Sequence, residues 1–229
     1  FEYPIDARSR AAGTGPVVKI TEKGFEKLVE IVALVRETVG WDVSLCIDHY
    51  GHGYLTVKEV IKLAHYLEPY GLAWMEDPMP SLDMWGHKRV TDAVNVPIAG
   101  GEDLYLLDQF RPFIENRAVD IVHPDLLTAG GMGETKRIAD YAERFGIPTA
   151  LHFAGSPIAF MANLHTAAAL PSFVALEHHG LDLPFWNDLV TGLEQPYLVD
   201  GYVTVPDKPG LGVDLNLEGI RANLRPPSG

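Results

Sequence analysis

Two rhythms of apolar residues alternate along this chain. Short, β-branched apolar runs recur as VSLCID (43–48), LAWMED (72–77), VPIAGGED (96–103), VDIVHPD (119–125), IPTALH (147–152) and FVALEHH (173–179). Between them the spacing changes to the three-and-four interval of a helix. Residues 25–39 place Leu28, Val29, Ile31, Val32, Leu34 and Val35 on a broad stripe, followed by Gly40, a natural C-terminal stop. Residues 57–67 repeat the scheme before Pro69 and Gly71, and residues 132–145 repeat it before Gly146.

Strands that are apolar almost throughout and alternate with helices are parallel strands buried on both faces. A doubly wound sheet and a (β/α)8 barrel both meet that description, and the strand ends decide between them. Each run closes on a polar side chain: Asp48, Glu76, Glu102, Asp125, His152 and Glu177, separated by 23 to 28 residues. A barrel gathers all its strand ends at one mouth, whereas an open sheet spreads them along an edge. The expected fold is therefore an α/β chain of the (β/α)8 TIM-type barrel class. Six strands are evident where eight are needed, so the barrel is expected to be incomplete at its N-terminal side. Residues 1–20 read as the end of an early barrel strand and a loop, and 21–192 as the barrel βα units. From 193 to 229 the text becomes turn-rich, as in EQPYLVDGYVTVPDKPGLGVDL, and reads as a different subdomain.

Charge and cysteine content narrow the function. Eighteen Lys and Arg against 31 Asp and Glu leave a formal charge of −13, which argues against nucleic acid, whose phosphates demand a basic face. The single cysteine, Cys46, excludes an internal disulfide and a multi-cysteine zinc site, and fits a reducing, cytoplasmic setting. It shares the Asp48 side of its strand and is expected to be packed there. The opening FEYPIDARSR lacks the apolar core of a signal peptide. The longest stretch free of Asp, Glu, Lys and Arg, residues 145–176, contains three prolines, so no membrane-spanning helix is expected.

Three carboxylates, Asp48, Glu76 and Glu102, on successive strand ends would repel one another without a cation. Mg2+ takes such oxygen ligands while keeping positions open for water and substrate, and neither a cysteine cluster nor HExxH supports a softer metal. Taken singly, each acid also reads as a helix cap or loop charge. Asp125 and His152 follow on the next two strands. An Asp beside a His orients the imidazole and suits it to general-base work near neutral pH. Glu177, if protonated, would donate a hydrogen bond to a developing oxyanion.

The strings LCIDHYG, WMEDP, PIAGGEDLY, VHPDLLTAGGMGE, ALHFAGSPIA, LEHH and KPGLGVDL resemble the mandelate racemase/muconate lactonizing branch of the enolase superfamily, and within it the galactonate-type sugar-acid dehydratases. The resemblance spans residues 20–215 with the motifs in order. It implies that Asp48, Glu76 and Glu102 are Mg2+ ligands, that Asp125 and His152 form a His–Asp dyad, and that Glu177 hydrogen-bonds the substrate carboxylate or enolate. The implied chemistry is removal of the proton α to a carboxylate, followed in a dehydratase by loss of the β-hydroxyl. The substrate would be a small acid sugar. It also implies an N-terminal capping domain to which residues 193–229 return, and a homo-oligomer.

Two positions depart from the pattern. Galactonate-type dehydratases carry a general-acid His two residues after the first metal ligand; here that residue is Tyr50, flanked by His49 and His52. Tyr50 or His49 is the candidate acid, the alternative being that these side chains only line the mouth. The Lys-x-Lys pair of the racemases is also missing from the sequence. Three readings of function stand: a sugar-acid dehydratase; an epimerase, racemase or cycloisomerase of an acid sugar or lactone; and a catalytically dead barrel or binding protein. Among weaker features, His65, His123 and His165 read as core or surface, TAGGMGE (128–134) as a tight turn, and Trp186 as a lid, a pocket wall or an oligomer contact.

Overall fold

Side-chain caps open several of the helices. In the computed structural model, which describes residues 20–48, 55–180 and 183–224, α1 (Glu22–Val39) begins after Thr21, whose hydroxyl accepts the Gly24 N–H. Helix α2 (Val57–Leu67) carries a complete capping box, in which Thr56 Oγ1 accepts the Glu59 N–H and the Glu59 carboxylate accepts the Thr56 N–H. Its limits are those the periodicity predicts.

By contact the chain divides into two units, Phe1–Leu104 with Asp108–His123, and Tyr105–Leu107 with Pro124–Gly229. In the first, β1 (Leu45–Asp48), β2 (Leu72–Glu76), β3 (Ile98–Gly100) and β4 (Ile121–Val122) pair in parallel and in sequence order. Asp48 and Glu76 are register partners at the ends of β1 and β2. Helix α2 buries Val60, Leu63, Ala64 and Leu67, and α3 (Met84–Thr91) buries Val90. Helix α4 (Leu106–Glu115) adds Phe110, Phe113 and Ile114 to the core.

The second unit holds α5 (Leu126–Ala129), α6 (Met132–Glu143), β5 (Thr149–Leu151), α7 (Pro157–Ala167) and β6 (Phe173–Leu176), with β5 and β6 parallel. A 3-10 turn, Trp186–Leu189, then leads to β7 (Val190–Thr191), the hairpin β8 (Leu198–Val199) and β9 (Tyr202–Val203), β10 (Asp214–Leu215, antiparallel to β7) and α8 (Leu217–Ala222). Tyr197, Val203, Val205, Leu211 and Val213 of this last region pack on the buried cluster that contains Phe160 and Trp186. No helix among the described residues is long and apolar enough to cross a membrane.

Three expectations need correction. Trp186 is no exposed lid: it is buried among Phe160, His178 and Tyr197, and its indole N–H donates to Gly155 O at 3.2 Å. The strands are shorter than their apolar runs, so Glu102, His123 and Asp125 lie in loops past β3 and β4. Gly101 turns the chain away at φ 129°, and Pro124 has no N–H to extend the ladder. The third concerns α1, whose apolar stripe is largely uncovered among the described residues; Leu34 is 63% exposed. The buried residues of α1 are Gly24, Phe25 and Arg36.

Arg36 explains the docking of α1. Its guanidinium donates to the carbonyls of Gly40, Val43, Tyr70 and Gly71 at 2.7–3.1 Å and lies 4.9 Å from the centroid of Trp41. One charged fork thus joins the end of α1 to the approaches of β1 and β2. Replacement by Met would keep the stem and leave these carbonyls without their donor. Arg36→Met is expected to destabilise the protein by about 3 kcal/mol, read as a lower urea midpoint at unchanged slope.

Candidate active site

The first unit gathers acids where β2 and β3 end. Alternation along β2 puts Trp74 and Glu76 on one side of the strand. Glu76 is 3% exposed; its Oε2 accepts the Trp74 indole N–H at 3.2 Å, and its Oε1 lies 3.7 Å from Nε2 of the buried His123. Strict alternation would turn Asp77 to the opposite side. Instead Asp77 takes a positive φ of 35°, and one oxygen from each of Glu76, Asp77 and Glu102 lies within 4.8 Å of the others.

The glycine pair at 100–101 is a steric requirement of this arrangement. A Cβ on Gly100 would sit 2.8 Å from Asp77 Oδ1, and one on Gly101 would sit 2.6 Å from Phe110. Gly101 also donates its N–H to Asp77 Oδ1 at 3.2 Å. Burial pushes the Asp77 carboxyl up to about 8, with the charges of Glu102 and Glu76 adding to the rise; His123 and the Gly101 N–H oppose it. The local field is therefore strongly negative, and the donors are carboxylate oxygens. That donor set fits a hard divalent cation such as Mg2+, which would relieve the repulsion.

Of the three ligands expected from sequence, Glu76 and Glu102 fall in the gathered set. Asp48 stands beside Glu76 through backbone register. Asp77 escapes a sequence reading because strand periodicity assigns it to the wrong face; the doubled acid of WMEDP is its one signal. His49, Tyr50 and His52 lie outside the described residues.

In the second unit Asp125 performs two tasks with its two oxygens. Oδ1 caps α5 by accepting the N–H groups of Leu127 and Thr128 at 2.6 and 3.3 Å, and Oδ2 meets His152 Nδ1 at 2.7 Å. An isolated parallel bridge between Asp125 and His152 aligns the two backbones. Burial alone would raise the Asp125 carboxyl. The hydrogen bonds from His152 and the two α5 amides, with the charge of His152, outweigh that and hold it below its ordinary value. With Nδ1–H engaged by Asp125, the basic lone pair of His152 belongs to Nε2.

Glu177 follows β6. Its Oε2 accepts the Phe153 N–H at 3.0 Å and lies 3.7 Å from the Nε2 atoms of both His152 and His179. His178, between them, turns away. Its Nδ1 accepts the Gly180 N–H at 3.0 Å, so Nε2 carries the proton that meets Tyr197 Oη at 2.6 Å. Burial holds this imidazole below its ordinary pKa. His179 is the residue that sequence reasoning missed here, although LEHH displays it two positions after Glu177.

Residues 6–219 match the family described as Enolase C-terminal domain-like. The chain belongs to that family. It is 41% identical over 196 residues to the D-xylonate dehydratase of Haloferax volcanii, covering 86% of this chain and 47% of that protein. It is 32% identical over 206 residues to the D-galactarolactone cycloisomerase of Agrobacterium fabrum, covering 86% and 53%. Among solved structures it matches a mandelate racemase/muconate lactonizing enzyme-like protein from Rubrobacter xylanophilus, with a TM-score of 0.87, 35% identity, and coverage of 92% of this chain and 55% of that one. The chain thus spans about half the length of these relatives. The expected class, an enolase-like (β/α)8 barrel of which this chain carries an incomplete set of strands, is the class observed.

Because folding lowers the Asp125 pKa, its ionised form stabilises the native state above the ordinary value of 3.8, and that contribution is lost as pH falls through the lower folded value. Wild type is therefore expected to be more stable than Asp125→Asn at pH 7, with the gap closing in strong acid. Urea midpoints measured from pH 7 down to pH 2 check this.

Proposed function

We propose that this chain is the catalytic part of a Mg2+-dependent enzyme that removes the proton α to the carboxylate of a sugar acid and dehydrates it to a 2-keto-3-deoxy acid. The observation that carries this reading is the 2.7 Å contact between Asp125 Oδ2 and His152 Nδ1. It leaves a basic nitrogen on an imidazole held by a buried carboxylate, the arrangement of a general base. Support for the substrate class comes from the relative named D-xylonate dehydratase.

Asp48, Glu76 and Glu102 would hold the cation, with Asp77 beside them. When bound, Mg2+ supplies positive charge against the negative charge that develops on the substrate carboxylate. The chain's own residues do the rest. His152 Nε2 takes the α-proton, and the C–H electron pair moves into the carboxylate to form an enediolate. Asp125 keeps Nδ1 protonated and stabilises the imidazolium that results. Glu177, positioned by the Phe153 N–H, donates a hydrogen bond to the enediolate while it holds a proton. Return of the electron pair forms the Cα=Cβ bond as the β-hydroxyl leaves. His49 or Tyr50 supplies the proton that makes it water, and the enol then tautomerises to the ketone.

A second reading keeps the same proton abstraction and ends in epimerisation or cycloisomerisation of an acid sugar or lactone. It is favoured by the relative named D-galactarolactone cycloisomerase.

Proton NMR in D2O on the full-length protein with Mg2+, D-xylonate and a panel of hexonates, aldarates and lactones separates the readings. Dehydration yields 2-keto-3-deoxy signals, whereas α-deuteration without loss of water marks an isomerase. His152→Asn is expected to lower turnover by about 10²–10⁴-fold and to abolish α-proton exchange. Retention of both would overturn the assignment of the base.

A further inference from the structure

We propose that Trp74 is a positioning residue for the metal site, its indole N–H presetting the Glu76 carboxylate in the orientation that receives the cation. The proposal rests on the reading of Glu76 as a metal ligand and extends it to a residue with no ligand atom of its own.

Trp74 lies two residues before Glu76 on β2, so both side chains leave the strand on the same side. Its indole is 9% exposed and meets His123 edge-on, with ring centroids 6.1 Å apart. From that fixed ring Nε1–H reaches Glu76 Oε2 at 3.2 Å. A buried glutamate has three side-chain torsions to settle before both oxygens point usefully. This contact settles the terminal one.

The indole suits the task for two chemical reasons. It donates and never accepts, so it cannot compete for the cation as an imidazole would. It also does not titrate across the range in which proteins fold, so its hydrogen bond always favours the carboxylate anion. Partners that orient metal-binding carboxylates in this way typically contribute ten- to a hundredfold in metal affinity.

The test is binding of Mn2+ to the full-length protein, followed by the electron paramagnetic resonance signal of the free ion. Trp74→Phe keeps an aromatic ring and removes only the donor. It is expected to raise the Mn2+ dissociation constant about ten- to a hundredfold while thermal stability and near-ultraviolet circular dichroism show an intact fold. A constant within threefold of wild type would overturn the role of Trp74. Glu102→Gln serves as the control: it is expected to lose Mn2+ binding whatever Trp74 does. If Glu102→Gln binds Mn2+ like wild type, the metal site itself falls, and the inference with it.

A second readout avoids dependence on the fold of the Phe variant. In protein labelled with 15N-tryptophan, single Trp→Phe changes at each of the other tryptophans, Trp41, Trp85 and Trp186 among them, identify the remaining indole resonance as Trp74. That resonance is expected to shift on Glu76→Gln and again on adding Mg2+ to wild type. Indifference to both would overturn the proposal.

Discussion

Negative charge held out of water at the ends of β2 and β3 is the constraint around which the first unit is arranged. Glu76 and Asp77 are consecutive, each 3% exposed, and Glu102 brings a third carboxylate within 4.8 Å. Burying one such charge is costly, and burying neighbours compounds the cost. The surroundings respond in kind: Trp74 donates to Glu76, Gly101 donates to Asp77, and Asp77 shifts toward its neutral form. Gly100 gives up its side chain so that the Asp77 carboxylate can rest against the strand. Apolar residues of similar size would serve stability at least as well. Retaining three acids there makes sense as chemistry, with a divalent cation as the natural counter-charge.

The second unit solves a different problem, that of holding an imidazole in one tautomer. Asp125 does so as a by-product of starting a helix. Because its Oδ1 is committed to the amides of α5, Oδ2 is presented to His152 with little freedom. Glu177 is likewise held by a backbone amide, that of Phe153. Behind these groups, His178 and Trp186 are tied to Tyr197 and Gly155 in an aromatic cluster. Residues 193–215 therefore act as a support for the loop that carries Glu177, and the neutral His178 is part of that support.

Much of the chain was legible because the relevant signals are local. Helix α2 begins at a Thr-x-x-Glu box and ends before Glu68, Pro69 and Gly71, and its limits match the expectation. The six apolar runs all contain strands. Less legible was the covering of α1. Periodicity ranks residues by hydrophobicity, so it put Leu34 on the apolar stripe and passed over Arg36. The guanidinium went inside because four carbonyls converge there, an arrangement that exists only once α1, β1 and β2 have met. Trp186 was misread for a similar reason, since its partners Phe160, His178 and Tyr197 lie 8 to 26 residues away in sequence.

By itself the sequence determined the alternation of strand and helix, the caps, the glycine stops and the list of polar residues at strand ends. These depend on side-chain periods and on hydrogen bonds between residues two to four positions apart, which short stretches of chain dictate. Only tertiary structure decided what those polar residues became. The dyad needed Asp125 and His152, 27 residues apart, to be aligned by a parallel bridge. The acid group needed a positive φ at Asp77, which breaks the very alternation used to read the strand. Burial, proximity of like charge and the supply of backbone donors set ionisation, and none of these exists until distant segments pack.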